Sequence, residues 1–263
     1  MPKLELLSPE QLRIDGRRPQ ETRRFRCRVG WQTSGNSVQG GVCDGSAYVE
    51  QGNTKVLVTV SGPHEVATAH LSRASDSAAF VVCDVAMAPF ATGERKKRAK
   101  SDRRLAEYAL LVQDTLEASV LLHLFPRSQI DVAVHVMQAD GGVLPAAINA
   151  ASLALVDAGI PLVDFVTACA AGVVDGEPIL DLNFPEENAN VPVLPVAIHP
   201  STGKIVTLVM HARMPAEFFE RTLALAVAGC RQIHATAADY VARRTHALLR
   251  VRGANADGSN AAL

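Results

Sequence analysis

Aromatic side chains are scarce in this chain, 5% of 263 residues with a single Trp and three Tyr. Cysteine is scarcer still: Cys27, Cys43, Cys83, Cys169 and Cys230 are an odd set, with no CxxC pair and no His/Cys cluster. That excludes a disulfide framework and a zinc site, and it predicts free thiols in a reducing compartment, whether cytoplasm, nucleus or both. No apolar run approaches the ~18 residues of a membrane span. The opening MPKLELLSPEQLRIDGRRPQ lacks the apolar core of a secretory signal, so none is expected. Net charge is −1, so no global field draws nucleic acid and any basic site must be local. A P-loop and a G-x-G-x-x-G after a strand are both absent. The eight histidines are scattered outside any triad context, and His64, His135 and His199 read as surface or core residues.

What is present is ordinary for a globular chain, 48% hydrophobic and 20% charged, with enough length to bury a core. We expect one α+β domain over 24–250, after an irregular leader at 1–23 and before a disordered tail at 251–263. Four arginines of the leader, in RIDGRRPQETR, read as a solvated loop. RFRCRVGW alternates as a strand. Two β-rich runs joined by Gln51-Gly52-Asn53-Thr54 predict a hairpin. AAFVVCDVAMAPF and RSQIDVAVHVMQ read as further strands, and RRLAEYALLVQDTLEASVLLHLF between them as a helix. VPVLPVAIHP and KIVTLVMHAR predict a second hairpin through Ser201-Thr202-Gly203. A long amphipathic helix begins near Pro215. The segment PEENAN reads as a polar connection.

The organising stretch is 138–183. Gly141-Gly142 predicts a tight turn, and Pro145 to Ala158 a helix that is apolar nearly all round and therefore central, closed by Gly159. A glycine turn feeding a helix start is a candidate anion site, because free N–H groups and the helix dipole point at it. Beyond it, Asp175-Gly176-Glu177-Pro178 predicts a hairpin turn of about four residues. That turn would set Asp175 and Asp181 on adjacent rungs, roughly 5–8 Å apart, where one divalent cation such as magnesium could sit between them. A turn Asp and a strand-end Asp without any ion explain the same residues.

The second stretch is basic. From Glu94 to Arg104 stand Arg95, Lys96, Lys97, Arg98, Lys100, Arg103 and Arg104 against Glu94 and Asp102. Ser101 or Asp102 suits an N-cap, which puts Arg103 and Arg104 in the first turn, against the dipole by roughly 0.3–1 kcal/mol each. A cost without visible gain points to an anionic partner such as RNA phosphate. Aromatics are not interleaved here, so phosphate contact is expected rather than stacking. A solvated loop is the plainer alternative.

Taken together, RIDGRRPQETR, VEQGNTKVLVTVSGP, MAPFATGERKKR with DRR, LFPRSQIDV, QADGG, INAASLALVDAGIPLVDFV and VDGEPILDLN resemble the RNase PH family, and most of all the phosphorolytic-type ring subunits of the RNA exosome. The resemblance reaches about residue 245 and implies the mixed α+β fold of that family, which is ribosomal protein S5 domain 2-like. It implies a six-membered ring of related subunits with single-stranded RNA in a central pore, S1/KH cap subunits above it and an associated hydrolytic nuclease. It also implies a nuclear, nucleolar and cytoplasmic setting, with no membrane. Arg103 and Arg104 would match the arginine pair on RNA phosphates, Arg95 to Arg98 would add to that surface, and Asp175 and Asp181 would match the acidic pair.

The family holds phosphate with a Ser/Thr-Arg pair after the Gly-Gly turn, whereas this chain has Val143-Leu144 and then Pro145. Losing a preorganised charge in the transition state typically costs about 10²–10³ in rate. The expectation is therefore a non-catalytic RNA-channel subunit that needs no cofactor. Three alternatives stay open: an active phosphate-dependent 3′–5′ exoribonuclease, a metal-dependent hydrolase on the acidic pair, and a basic import or docking signal.

Overall fold

A computed structural model describes residues 6–8, 10, 12–30, 43–67, 70, 76–95, 102–189, 191–210 and 212–260, with backbone alone from 251. In chain order the elements are β1 (Phe25–Val29), β2 (Gly45–Gln51), β3 (Thr54–Glu65), β4 (Phe80–Met87), α1 (Arg103–Glu117), β5 (Ser128–Gln138) and α2 (Val143–Asp157). They continue as β6 (Thr167–Val174), β7 (Glu177–Leu180), α3 (Phe184–Asn188), β8 (Val193–His199), β9 (Lys204–Leu208) and α4 (Ala216–Asn260). This is the expected α+β architecture.

The strands form a five-stranded sheet in the order β1-β2-β3-β5-β4 and a four-stranded sheet in the order β7-β6-β8-β9. Helix α2 packs against strands of both, which is why it is apolar on every side: Leu144 to Leu155 are all buried. Its two buried polar residues are spent on β6 and on Val166 just before it. Asn149 donates to the Ala168 carbonyl at 2.9 Å and accepts from the Ala168 N–H at 2.7 Å, and Ser152 Oγ accepts from Val166 N–H. Buried amides paired in this way avoid a desolvation penalty and fix the helix relative to the sheet. On the other side β2 approaches so closely that a Cβ on Gly45 would lie 2.3 Å from the Ala154 carbonyl oxygen.

Both predicted hairpins are present, with Gln51 paired to Thr54 around Gly52-Asn53 and His199 paired to Lys204. Three expectations are corrected. Helix α1 stops at Glu117, because the next residues are taken up by the segment after α2: Val163 N–H donates to Ser119 O, and Leu121 N–H to Pro161 O. The polar connection after Asn183 contains α3, whose Asn183/Glu186 capping box is satisfied in both directions. The tail from 251, expected to be disordered, continues α4 as helix as far as Asn260, through Gly253 and Gly258. All five cysteines are free, as expected. Among the described residues, no helix is long and apolar enough to cross a membrane.

Candidate functional site

Strand β4 runs parallel to β5, so the chain between them must cross over, and α1 is that crossover. The basic stretch lies where β4 hands over to α1. Arg95 and Arg103 are exposed, and Lys96, Lys97, Arg98, Lys100 and Ser101 lie outside the described residues. Asp102 is the N-cap, its carboxylate accepting from Arg104 N–H at 3.1 Å. The start of α1 faces the start of α2 across a cavity of about 430 Å³, lined by Arg104, Tyr108, Gly142, Val143, Leu144, Pro145 and Glu187 among others.

Gly142 caps α2 in the left-handed conformation, φ 60°, so the helix starts at Val143, two residues before the expected Pro145. Pro145 thus takes the third helical position, where its missing N–H is still one of the unpaired first four. The Gly-Gly turn is also tightly covered: a Cβ on Gly141 would meet the Leu182 carbonyl oxygen at 2.6 Å.

An acidic side chain already occupies this corner. Glu187 Oε2 accepts from Gly142 N–H at 3.3 Å, and its Oε1 accepts from Arg104 Nη2 at 3.1 Å. A carboxylate there satisfies the positive end of α2. Arg104 also donates from Nε to the Tyr108 hydroxyl at 3.1 Å and lies over its ring at 5.6 Å. Burial pulls the Arg104 pKa down, but Tyr108, Glu187 and Asp102 outweigh it and hold the guanidinium above its ordinary value. The cost of a cation in the first turn of α1 is therefore offset, for Arg104, by an anion within the chain.

The acidic pair is not brought together. Val174 pairs with Glu177, so the turn is Asp175-Gly176 alone, and Asp175 is exposed with φ 48°. Asp181 N–H donates to the Ala170 carbonyl, which puts it five residues down β6 from Asp175, about 16 Å at ~3.3 Å per residue. The observed turn is two residues shorter than the expected four, which moves Asp181 two positions further along β6. Even the longer turn would leave three residues, about 10 Å, between the two, so the adjacent-rung expectation fails on register as well.

Asp181 is buried and saturated. Its Oδ2 accepts from Arg23 N–H (2.8 Å) and Nε (3.0 Å), and its Oδ1 from Arg23 Nη2 (2.8 Å) and Gln51 Nε2 (2.9 Å). Burial pushes the Asp181 carboxyl up, yet Arg23 and these hydrogen bonds hold it below the usual carboxylate range. With every oxygen occupied and Asp175 remote, the two do not fit a shared magnesium ion. Among the described residues no group of three or more His, Cys, Asp or Glu could hold a metal.

Three of the four leader arginines are not the solvated loop that their sequence suggests, while Arg18 is exposed as expected. Arg13 is buried against Glu186, with Nε 2.8 Å from Oε1 and a second, shorter bond from Nη2 to Oε2. Arg13 also donates to the Asp181 carbonyl (2.9 Å), as does Arg17 (3.2 Å). Together with Arg23, three leader arginines converge on Asp181, whose φ of 55° turns the chain from β7 into α3. Arg23 further donates to the Asp140 and Gly141 carbonyls, tying that turn to the corner. Sequence reasoning misses Glu186 and Glu187 as residues of this corner. The N-x-x-E capping box at Asn183 is a readable signal for Glu186, but nothing local marks Glu187.

Known proteins bear on this arrangement. Residues 21–161 match the 3′ exoribonuclease family, domain 1, and residues 164–229 match its domain 2. Human exosome complex component RRP41 is 46% identical over 241 residues, covering 92% of this chain and 94% of that protein. Exosome complex component Rrp41 of the archaeon Thermococcus kodakarensis is 42% identical over 231 residues, covering 88% of each. Among solved structures, rice Rrp46 superposes with a TM-score of 0.71 at 29% identity, covering 86% of this chain and 98% of that one. An Archaeoglobus fulgidus exosome with RNA bound to the active site shares the fold, with a TM-score of 0.70 at 20% identity, covering 86% of this chain and 92% of that one.

Proposed function

The chain belongs to the 3′ exoribonuclease family of RNase PH type, and on that premise we propose that it is an RNA-contacting, non-phosphorolytic core subunit of an exosome. Its relatives in human and archaea are named exosome components, so other exosome subunits and RNA are the partners to expect. In this reading it sits in a six-membered ring of RNase PH-like subunits, with an S1/KH cap above. It serves nuclear and cytoplasmic pools, nucleolus included, in RNA processing and turnover. Arg95, Arg103 and Arg104, with Lys96, Lys97 and Arg98, neutralise RNA phosphates along the channel. A separately associated hydrolytic nuclease cleaves the strand.

One observation carries the loss of phosphorolysis. At the start of α2, Gly142 N–H is engaged by Glu187, Val143 and Leu144 bring no donor side chain, and Pro145 brings no N–H. An attacking phosphate needs fixed donors and net positive charge where it lies in line with the scissile bond. Here it would meet apolar side chains and a carboxylate that already takes up the cavity's arginine, Arg104. The active reading depends on the N–H groups of Val143 and Leu144, outside the helical ladder, with Arg104 freed from Glu187, or on a residue of a neighbouring subunit.

The channel role is tested with Arg103→Glu/Arg104→Glu in the chain assembled with its partner subunits. Affinity for single-stranded RNA should fall, and the slope of log affinity against log salt should shrink by about 0.7 for each phosphate no longer neutralised. Unchanged affinity and slope would remove both arginines from the channel.

A further inference from the structure

Phe90 and Phe184 are far apart in sequence, one just after β4 and the other at the start of α3, yet they line one open pocket of about 720 Å³. Both are unusually open for phenylalanine, 65% and 48% exposed. Neither stands on loose backbone. The Phe90 turn is pinned by Ala91 N–H to Ala88 O and by Ala139 N–H to Ala91 O. Phe184 follows Asn183, which belongs to the α3 capping box and accepts from Arg17.

Polar groups share the lining: Asn53, Lys55, Gln138 and Asp140. Asp140 accepts from Asn53 Nδ2 at 3.0 Å, which puts a carboxylate in the pocket wall. With Lys55 in the same lining the pocket's two charges offset each other, so it offers a phosphate no net attraction. A flat, neutral group with hydrogen-bonding edges suits the two rings and the amides. One cation, Lys55, is in the lining itself. Others lie at the rim: the chain runs from Phe90 through Gly93 to exposed Arg95, and on the other side Asp140 leads through the glycine turn to the Arg104 cavity. A strand crossing here would have its phosphates on the arginines and a base over the pocket.

We infer that this pocket takes a base of single-stranded RNA, stacked on Phe90 and Phe184, with Asn53, Lys55 and Gln138 within its lining to meet the base edges. The inference rests on the RNA-contact reading above. Stacking of this kind is tolerant of sequence, since every base offers a π-face. It also revises the expectation of phosphate contact alone, which counted only aromatics neighbouring in sequence.

The test compares an oligouridine with the same strand carrying abasic sugars, titrated into the full chain assembled with its partner subunits and into the same assembly carrying Phe90→Leu/Phe184→Leu, which keeps apolar bulk and removes the rings. Wild type should bind the intact strand about tenfold more tightly than the abasic one. The variant, with unchanged circular dichroism and melting, should bind both at the abasic level. A variant that keeps the preference, or a wild type without one, overturns the stacking proposal while leaving RNA contact standing. A wild type that binds neither strand overturns the RNA-contact reading itself. Unchanged RNA binding together with failed association to other subunits overturns stacking too, and assigns the pocket to a protein interface.

Discussion

Asp181 receives four N–H donors from Arg23 and Gln51, and that closure sets what it can do. A buried carboxylate so bonded is a clamp between the leader, β7 and the Gly-Gly turn. Removing its partner leaves an uncompensated charge, so Arg23→Met should cost about 3–5 kcal/mol, read as a lower urea midpoint. The sign with pH follows from the lowered pKa. The stabilisation is present above the unfolded value of 3.8 and is lost as pH falls through the lower folded value. Asp181→Asn should therefore flatten the acid limb of the stability curve near and below pH 3.8; an unchanged limb would contradict the clamp. Thiol reactivity offers a second check. Burial pushes Cys27 to about 11 and Cys83 and Cys230 to about 12, so a thiol reagent near neutral pH should label the native chain slowly and the unfolded chain rapidly. Which residues matter is visible in the sequence more readily than how. Asp181 stands out, but its partner lies in a leader whose arginines look solvated, and such long-range ion pairs leave no local pattern.

Elements are far more legible. Both hairpins carry their turn residues, and α2 carries its burial in a run of Ala, Ile and Leu that Pro145, Asn149 and Ser152 alone interrupt between Leu144 and Leu155. What the pattern misses is decided between elements: α1 ends where the segment after α2 claims its next backbone groups, which periodicity inside α1 cannot reveal. The approach of β2 to α2 is of the same kind. Gly45→Ala should force strand and helix apart, because its Cβ would sit 2.5 Å from Ala158 N and 2.3 Å from Ala154 O. We expect a destabilisation of about 1–3 kcal/mol, seen as a fall of a few degrees in Tm. The start of α2 also constrains any attempt to rebuild a phosphate site. Leu144 is 4% exposed and belongs to the main core, so Leu144→Arg places a charge among apolar neighbours before it can reach the cavity. That substitution should destabilise the fold even beside Val143→Thr.

At the scale of the whole molecule, family membership and a near-neutral charge belong together. A net charge of −1 leaves no field to gather RNA, so in the proposed function the cations around α1 act locally, inside an assembly that brings the strand to them. The family fold is readable from seven stretches spread along the chain. The missing phosphate donors at Val143 and Leu144 are readable too. Glu187 is not, because its place beside Gly142 depends on α3, on Asp181 and on the leader arginines together. The account therefore turns on whether this corner can still hold phosphate for chemistry. The most direct measurement supplies the chain, assembled with its partner subunits and free of hydrolytic nuclease, with single-stranded RNA, inorganic phosphate and magnesium. The account predicts bound RNA and no nucleoside diphosphate. Release of nucleoside diphosphates that depends on added phosphate and persists in highly purified assemblies would contradict it.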